Sequence, residues 1–378
     1  MKILIIGEFS AFSKNLSKGF HALGHESFVF SWGDSFKKIE QDDDSYHIDV
    51  SNISVFGHSI KGTNRIKRLF TAPRLHRYIS KMPCDWDVAF LINFGFLQKG
   101  TNIFNDMISI QEIQSLLKDP SQIYLSACGG DFIFDSFLPN RARISPADLE
   151  KAQKNTAISS KPYDLFKTFM PLVKGVIPIT IDYFEAYKFF EDKYDYNLLP
   201  IIPLPFDTES VEYKNDIHDK IVIMHGVNRY YEKGSDYIIP AMERIEKDYP
   251  DKVEVRIVSH VPLKEYLKIM SEANIVIDQA YAYSAGMNAV EALAMGKVVL
   301  GGDYSGNAES LGVKEFPVID ITADIDQIYS VLKDLVFNPE KIKMISEESR
   351  KTACELYDCR KIAARYVELF NLEIKGEE

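Results

Sequence analysis

The sequence predicts an α/β protein built as two doubly wound, Rossmann-like domains. Three observations carry that prediction. The chain has 378 residues, more than one ordinary core accommodates, so two domains of similar size are expected. Short apolar runs alternate with stretches of helical spacing in both halves, the pattern of parallel strands covered by helices on both faces. Between the halves, Leu199–Asp207 (LPIIPLPFD) places three prolines within six positions, which neither a helix interior nor a central strand tolerates. That stretch reads as the interdomain linker, with domains at 1–203 and 204–359 and a closing segment at 360–378.

Taken in order, Lys2–Ile6 is an apolar strand ending at Gly7. Asn15–Leu23 has Leu16, Phe20 and Leu23 at helical spacing, and Gly24 stops it. Ser27–Phe30, Asp87–Ile92, Gln122–Ser126 and Gly175–Ile179 follow as strands, the last with Pro178 at its edge or end. In the second half the expected strands are Ile221–Met224, Val253–Val258, Ile275–Asp278, Val298–Leu300 and Phe316–Ile319. The expected helices there are Ser235–Lys247, Leu263–Ala273, Asn288–Met295 and Ile325–Val336, with Pro240 set to delay or kink the first. Arg360–Leu372 closes the chain as a helix with Ile362, Tyr366, Leu369 and Phe370 along one face, followed by a frayed KGEE.

Hydrophobic residues make up 46% and charged residues 26%, a globular balance. A net charge of −11 argues against nucleic acid as a partner, because basic surface dominates that affinity. One local reversal stands out. Between Lys61 and Lys81 there are seven Lys and Arg and no Asp or Glu, interleaved with Ile66, Leu69, Phe70, Leu75, Tyr78 and Ile79. The segment 58–81 therefore reads either as a peripheral contact with an anionic membrane or lipid-linked acceptor, or as a solvated loop around Pro73. The four cysteines form no C-x-x-C pair, and Cys354/Cys359 has no nearby histidine, so a reduced, cytoplasmic setting is expected. The apolar run Ile3–Ile6 is too short for a signal sequence, and no stretch approaches the ~20 apolar residues of a membrane span.

Chemistry concentrates in two loops of the second half. Asp278–Leu300 (DQAYAYSAGMNAVEALAMGKVVL) runs from a strand end through a loop of small and polar residues into a helix that Gly296 ends. That helix is apolar all round except for Glu291, so it is expected to be buried. A buried carboxylate needs donors, and a ribose diol supplies two. Tyr283–Met287 lies at the helix N-terminus, where free N–H groups favour an anion such as a diphosphate, and Gly286 lets the backbone approach it. The second loop, His225–Ser235 (HGVNRYYEKGS), follows the first strand of the domain. It holds Arg229 and Lys233, with Ser235 as a candidate N-cap. In a doubly wound sheet both loops emerge at the C-terminal ends of strands, where such sheets bind ligands.

NRYYEKG and AGMNAVEALAMGKVVL, in this order and spacing, resemble motifs of the retaining glycosyltransferases of the GT-B fold, the group 1 or family 4-like enzymes. The match is specific over about Ile221–Leu300. The resemblance implies two Rossmann-like domains facing a cleft and a C-terminal helix that returns to the first. It implies a transferase moving a sugar from a nucleotide-diphosphate sugar to an acceptor hydroxyl, in bacterial surface polysaccharide or glycolipid synthesis. Arg229 and Lys233 are then the catalytic cations on the departing diphosphate. Gly286, Met287 and Asn288 supply backbone donors, Glu291 holds the ribose, and His260 and Val261 lie against the base. Tyr283, Ser284 and Ala285 complete the donor loop, with Gln279, beside Asp278, near the sugar. The sequence departs from the group at Tyr283, where a second glutamate often faces the sugar. On the acceptor side the resemblance places the loop Gly7–Lys14, facing the interdomain cleft, and the Cys128-Gly129-Gly130-Asp131 turn; Asp131 either orients an acceptor hydroxyl or caps the turn.

Two rivals use the same scaffold: a nucleotide-sugar epimerase, and a catalytically silent nucleotide-binding accessory protein. No cofactor or metal is implied. Asp85-Trp86-Asp87 opens a strand and Asp324-Ile325-Asp326 starts a helix, so neither D-x-D reads as a metal motif. The histidines lack ligand spacing, and no G-x-G-x-x-G follows the first strand.

Overall fold

The computed structural model describes residues 1–375 apart from 33, 35–36, 38, 40–43, 49–53, 56–57, 60–63, 101, 141–142, 156–160 and 305. Its first half is a parallel sheet of β1 (Lys2–Ile6), β2 (Glu26–Ser31), β3 (Ser45–His47), β4 (Val88–Leu91), β5 (Ile123–Ala127) and β6 (Gly175–Pro178), in the spatial order β6-β5-β4-β1-β2-β3. Its main helices are α1 (Phe12–Ala22), α2 (Asn64–Ile79), α3 (Ile110–Leu116), α4 (Phe132–Phe137), α5 (Pro146–Asn155), α6 (Lys161–Phe169) and α7 (Ile181–Phe190). The central strands are apolar on both faces and fully buried, as helices on both sides require. Pro178 ends an edge strand, so its missing N–H costs no ladder bond.

The second half is a five-stranded parallel sheet of β7 (Ile221–Gly226), β8 (Val253–Val258), β9 (Ile275–Ile277), β10 (Val298–Gly301) and β11 (Val318–Asp320), in the order β8-β7-β9-β10-β11. Around it lie α8 (Tyr230–Lys233), α9 (Ser235–Asp248), α10 (Leu263–Ser271), α11 (Met287–Ala294), α12 (Asn307–Ser310), α13 (Ile325–Phe337) and α14 (Pro339–Leu356). Pro240 does not delay α9. Gly234, at φ 74°, caps the helix, and the Ser235 hydroxyl bonds to His225 upstream of the proline. Ser235 is therefore the first helical residue and not the N-cap.

The final helix, α15 (Cys359–Lys375), packs on α1 and the first sheet. Gly19 permits this, because a Cβ there would lie 2.1 Å from the Cys359 carbonyl oxygen. Ile362, Tyr366 and Phe370 are fully buried, with Tyr366 against Phe90 and Phe370 against Tyr124 at ring separations of 4.9 Å. Burial of each stabilises the first half by roughly 1.5–3 kcal/mol. The chain thus crosses between the halves twice, and the crossings pair. Phe206 N–H donates to the Tyr357 carbonyl at 2.7 Å and Cys359 N–H to the Phe206 carbonyl at 2.8 Å. Ile202, Leu204 and Phe206 of the proline-rich stretch are buried.

The basic segment 58–81 is mostly helix, in place of a loop around Pro73, which lies inside α2. Residues 60–63 lie outside the described residues, as do 376–378 of the closing tail. Leu75 and Ile79 are buried in the core beside Phe30 and Trp86, so that part of the apolar interleaving serves packing. No helix among the described residues is long and apolar enough to cross a membrane.

Candidate functional site

β7, β8 and β9 end on the same edge of the second sheet, and their loops build one wall of a cleft. At the end of β7, His225 is fully buried. Its Nδ1–H donates to the Ile277 carbonyl at 2.8 Å, and Nε2 accepts from Ser235 Oγ at 2.9 Å. Burial, then the Lys233 charge, lowers its pKa to about 4. A neutral histidine here ties β7, β9 and α9 together and fixes the start of the Arg229–Lys233 loop. Arg229 is largely exposed and pairs with Glu232 at 3.5 Å, a surface pair that leaves the guanidinium able to exchange partners. Lys233 is buried. Its Nζ donates to Asp278 Oδ1 at 3.1 Å, and its carbonyl accepts from Ala280 N–H at 2.8 Å.

At the end of β9, Asp278 is buried and its Oδ1 also accepts from Asn288 Nδ2 at 2.9 Å. Burial raises its pKa, but the Lys233 charge and the bonds from Asn288 and Lys233 outweigh that and hold it below the usual carboxylate value. α11 then starts at Met287 with Gly286 as N-cap, and no side chain caps it. Its first N–H groups are left to the cleft. The Asn288 side chain is spent on structure, bonding Asp278 on one side and accepting from Tyr266 Oη at 2.5 Å on the other. One turn on, Glu291 is 4% exposed and its carboxylate has no hydrogen-bond donor among the described residues. Burial pushes its pKa up to about 8; Lys37 and Lys233 pull it down and Asp278 pushes it up.

Arg229, Lys233, Asp278, Asn288 and Glu291 line a cleft of about 290 Å³ with Asn228, Val261, Leu263, Tyr266, Gln279, Gly286 and Met287. The first domain supplies the opposite wall through Ser10, Asp34 and Lys37. Lys37 Nζ donates to Asp34 Oδ2 at 2.7 Å and to Ser10 Oγ, and Ser10 N–H donates to the same Asp34 oxygen at 2.8 Å. Ser10, Ala11 and Asp34 all have positive φ, a local strain that packing must offset. Ser10 belongs to the Gly7–Lys14 loop expected at the cleft, whereas Asp34 and Lys37 are ordinary polar loop residues that gave no signal in the sequence. A wider groove, about 490 Å³, runs between α1 and α15 past Leu23, His25 and Val367, but it is mainly apolar and gathers no set of polar groups.

Of the expected site residues, Arg229, Lys233, Val261, Gln279, Gly286, Met287, Asn288 and Glu291 meet at the cleft. The others stand outside its lining. His260 forms the turn beside Val261, at φ 56°, with its N–H donating to Asn228 Oδ1 at 2.8 Å. Tyr283, Ser284 and Ala285 are buried against the first domain. Tyr283 N–H donates to Asp182 Oδ1 at 2.9 Å, and Ser284 Oγ donates to Asp182 Oδ2. The Tyr283 ring packs with Ile181 and Ile201 and stacks on Tyr304 at 4.4 Å. Arg143 adds a second tie, donating to the Ala282 carbonyl at 2.7 Å and to the Asp320 carboxylate. Tyr283 is thus an interdomain contact in place of a sugar contact.

On the acceptor side, Gly7 has φ 110° and its Cβ position is filled by the Phe96 ring 2.4 Å away. Gly130 N–H donates to Tyr183 Oη at 3.0 Å. Asp131 caps α4, accepting from Phe134 N–H at 2.8 Å, and also accepts from Tyr187 Oη at 2.8 Å. Burial raises its pKa to about 6. Asp135, one turn on, is raised to about 7 by burial and by the charges of Asp131 and of Glu232 in the second domain. The two D-x-D stretches serve structure: Asp87 accepts from Lys2 N–H at 2.7 Å, and Asp324 caps α13.

No protein-family model and no curated protein matches the sequence. Solved structures do match the fold. Sucrose-phosphate synthase from Thermosynechococcus elongatus aligns over 100% of both chains at 12% identity, with a TM-score of 0.63. The pneumococcal O-GlcNAc transferase GtfA, in complex with UDP and GlcNAc, aligns over 99% of both chains at 10% identity and 0.58. Anabaena HepE, in complex with UDP-glucose, aligns over 98% of this chain and 99% of its own at 12% identity and 0.57. At these identities the likeness establishes architecture: the chain has the two-domain α/β fold of the GT-B glycosyltransferases.

Proposed function

We propose that this chain is a glycosyltransferase that takes a sugar from a nucleoside-diphosphate donor and passes it, with retention at the anomeric carbon, to an acceptor hydroxyl. The observation that carries the reading is Glu291, a buried carboxylate with no protein hydrogen-bond donor among the described residues, facing a cleft that also holds Arg229, Lys233 and an uncapped helix N-terminus. Such a carboxylate is costly in the empty protein and useful when hydroxyl donors arrive. The ribose of a nucleotide brings two, and the cations of the loop after β7, with the α11 N-terminus one turn away, suit its diphosphate.

In the reaction, the bond from the anomeric carbon to the diphosphate oxygen breaks and the acceptor oxygen bonds to that carbon from the same face. The acceptor proton passes to the departing diphosphate. Arg229, Lys233 and the N–H groups of Gly286–Asn288 stabilise the charge that develops there. UDP and UDP-glucose in the GtfA and HepE structures lend weight to a nucleotide donor. Surface polysaccharide or glycolipid synthesis is the setting we assign, with residues 58–81 as the peripheral membrane contact.

The test is product analysis with a panel of nucleotide sugars and sugar or lipid-linked acceptors. Arg229→Ala and Lys233→Ala should each lower turnover by about 10²–10³-fold with the fold intact. Unchanged turnover in both variants would remove the site assignment.

A further inference from the structure

The cleft has a direction. Along the sheet edge, β8 contributes an apolar end at Val261, Leu263 and Tyr266, and β7 contributes the cations. β9, next in order, contributes Asp278 and Gln279. A nucleotide with its base at the apolar end and its diphosphate on the α11 N-terminus carries its sugar toward β9. There, Asp278 is 3% exposed, and the hydrogen bonds from Lys233 and Asn288 both fall on its Oδ1. Oδ2 has no hydrogen-bond donor among the described residues. It lies 3.5 Å from where a Cβ on Gly286 would be, and Gln279 Nε2 lies at the same distance. A carboxylate oxygen and an amide N–H₂ therefore flank the point where the donor loop enters α11. Tyr283 leaves this space to them, since its side chain is committed to Ile181, Ile201 and Tyr304.

We propose that Asp278 Oδ2 and Gln279 Nε2 form the subsite for the transferred sugar, and that they select an uncharged sugar over a uronic acid. This rests on the donor reading above. Oδ2 accepts from a sugar hydroxyl, and the Gln279 amide donates to a neighbouring one. A sugar carboxylate in the same place would face Asp278 with Lys233 already paired to it. Both partners would be acceptors, and the contact would be repulsive in a dry site.

The test is calorimetric titration of the full chain with UDP, UDP-glucose and UDP-glucuronic acid, and with GDP, GDP-mannose and GDP-mannuronic acid. Asp278→Asn keeps an acceptor for Lys233 and Asn288 and turns the cleft-facing oxygen into a donor. The wild type should bind the uncharged sugar nucleotide at least tenfold more tightly than the uronate of the same base. In D278N that preference should shrink below threefold, read as the ratio of the two sugar nucleotides, because the loss of the Lys233 ion pair shifts affinity for every diphosphate alike. If D278N does not fold, Gln279→Ala carries the test: it should weaken the uncharged sugar nucleotide at least threefold more than it weakens the plain diphosphate. Equal binding of hexose and uronate, or full preference retained in the variant, overturns the subsite while diphosphate binding stands. Failure of both diphosphates to bind overturns the donor reading and this inference together.

Discussion

Replacing Glu291 by Gln should make the empty protein more stable and its nucleotide binding weaker. Burial lifts this carboxyl to about 8 from an ordinary value of 4.5, so the folded chain holds its proton more tightly than the unfolded chain does. Linkage then sets the sign. The stabilising contribution is complete below about pH 4.5, declines as pH rises toward 8, and is gone above that. At roughly 1.4 kcal/mol per tenfold in proton affinity, the loss is on the order of 3–5 kcal/mol. Gln is uncharged at every pH, and its amide desolvation does not vary with pH. Glu291→Gln should therefore match the wild type near pH 5 and exceed it at pH 8.5, by roughly 5–10 °C in melting temperature. The amide cannot accept from both ribose hydroxyls as a carboxylate does, so nucleoside diphosphate affinity should fall about tenfold or more. Scanning calorimetry at the two pH values and nucleotide titration of both proteins make the assay. An advantage over the wild type no larger at pH 8.5 than at pH 5, or undiminished nucleotide affinity in the variant, would refute the reasoning.

Two further predictions concern how the halves are held. Asp182→Ala strips the Tyr283 N–H and Ser284 hydroxyl of a buried acceptor, at about 1–3 kcal/mol per stranded donor. It should raise the donor KM at least threefold while kcat changes less; a donor KM equal to the wild type would show that the tie does not position the loop. Phe370→Ala opens a cavity under β4 and β5 and should cost about 3–5 kcal/mol in denaturant unfolding. A loss below ~1 kcal/mol would mean that α15 does not belong to the first core.

Much of this fold was readable because it is written in local patterns. Most strands of both sheets are apolar runs, the polar Ser45–His47 edge strand excepted, and α11 is marked by six apolar residues around one charge with Gly296 at its end. α14 was missed for a physical reason. After Ile342 its buried stripe is Ser346, Ser349, Thr352 and Ala353, small and polar residues at helical spacing that apolar periodicity does not register. The Arg229–Lys233 and Gly286–Glu291 elements lie within one domain and were placed by motif spacing. Lys37 and Asp34 were not, because their role depends on a surface some 250 residues away in sequence. Tyr283 was misplaced for the same cause: the carboxylate that holds its backbone is Asp182, on the other side of the cleft. Local composition predicted what the donor loop contains, and only the docked domains decide which way it faces.

The central claim is that Arg229, Lys233, Glu291 and the α11 N-terminus hold a nucleoside diphosphate. The most direct measurement is calorimetric titration with UDP against UMP and GDP against GMP, on the wild type and on Lys233→Ala. The predicted result is that one diphosphate binds at least tenfold more tightly than its monophosphate, and that Lys233→Ala removes the difference. Equal binding of mono- and diphosphate, or no binding of any of the four, would contradict it.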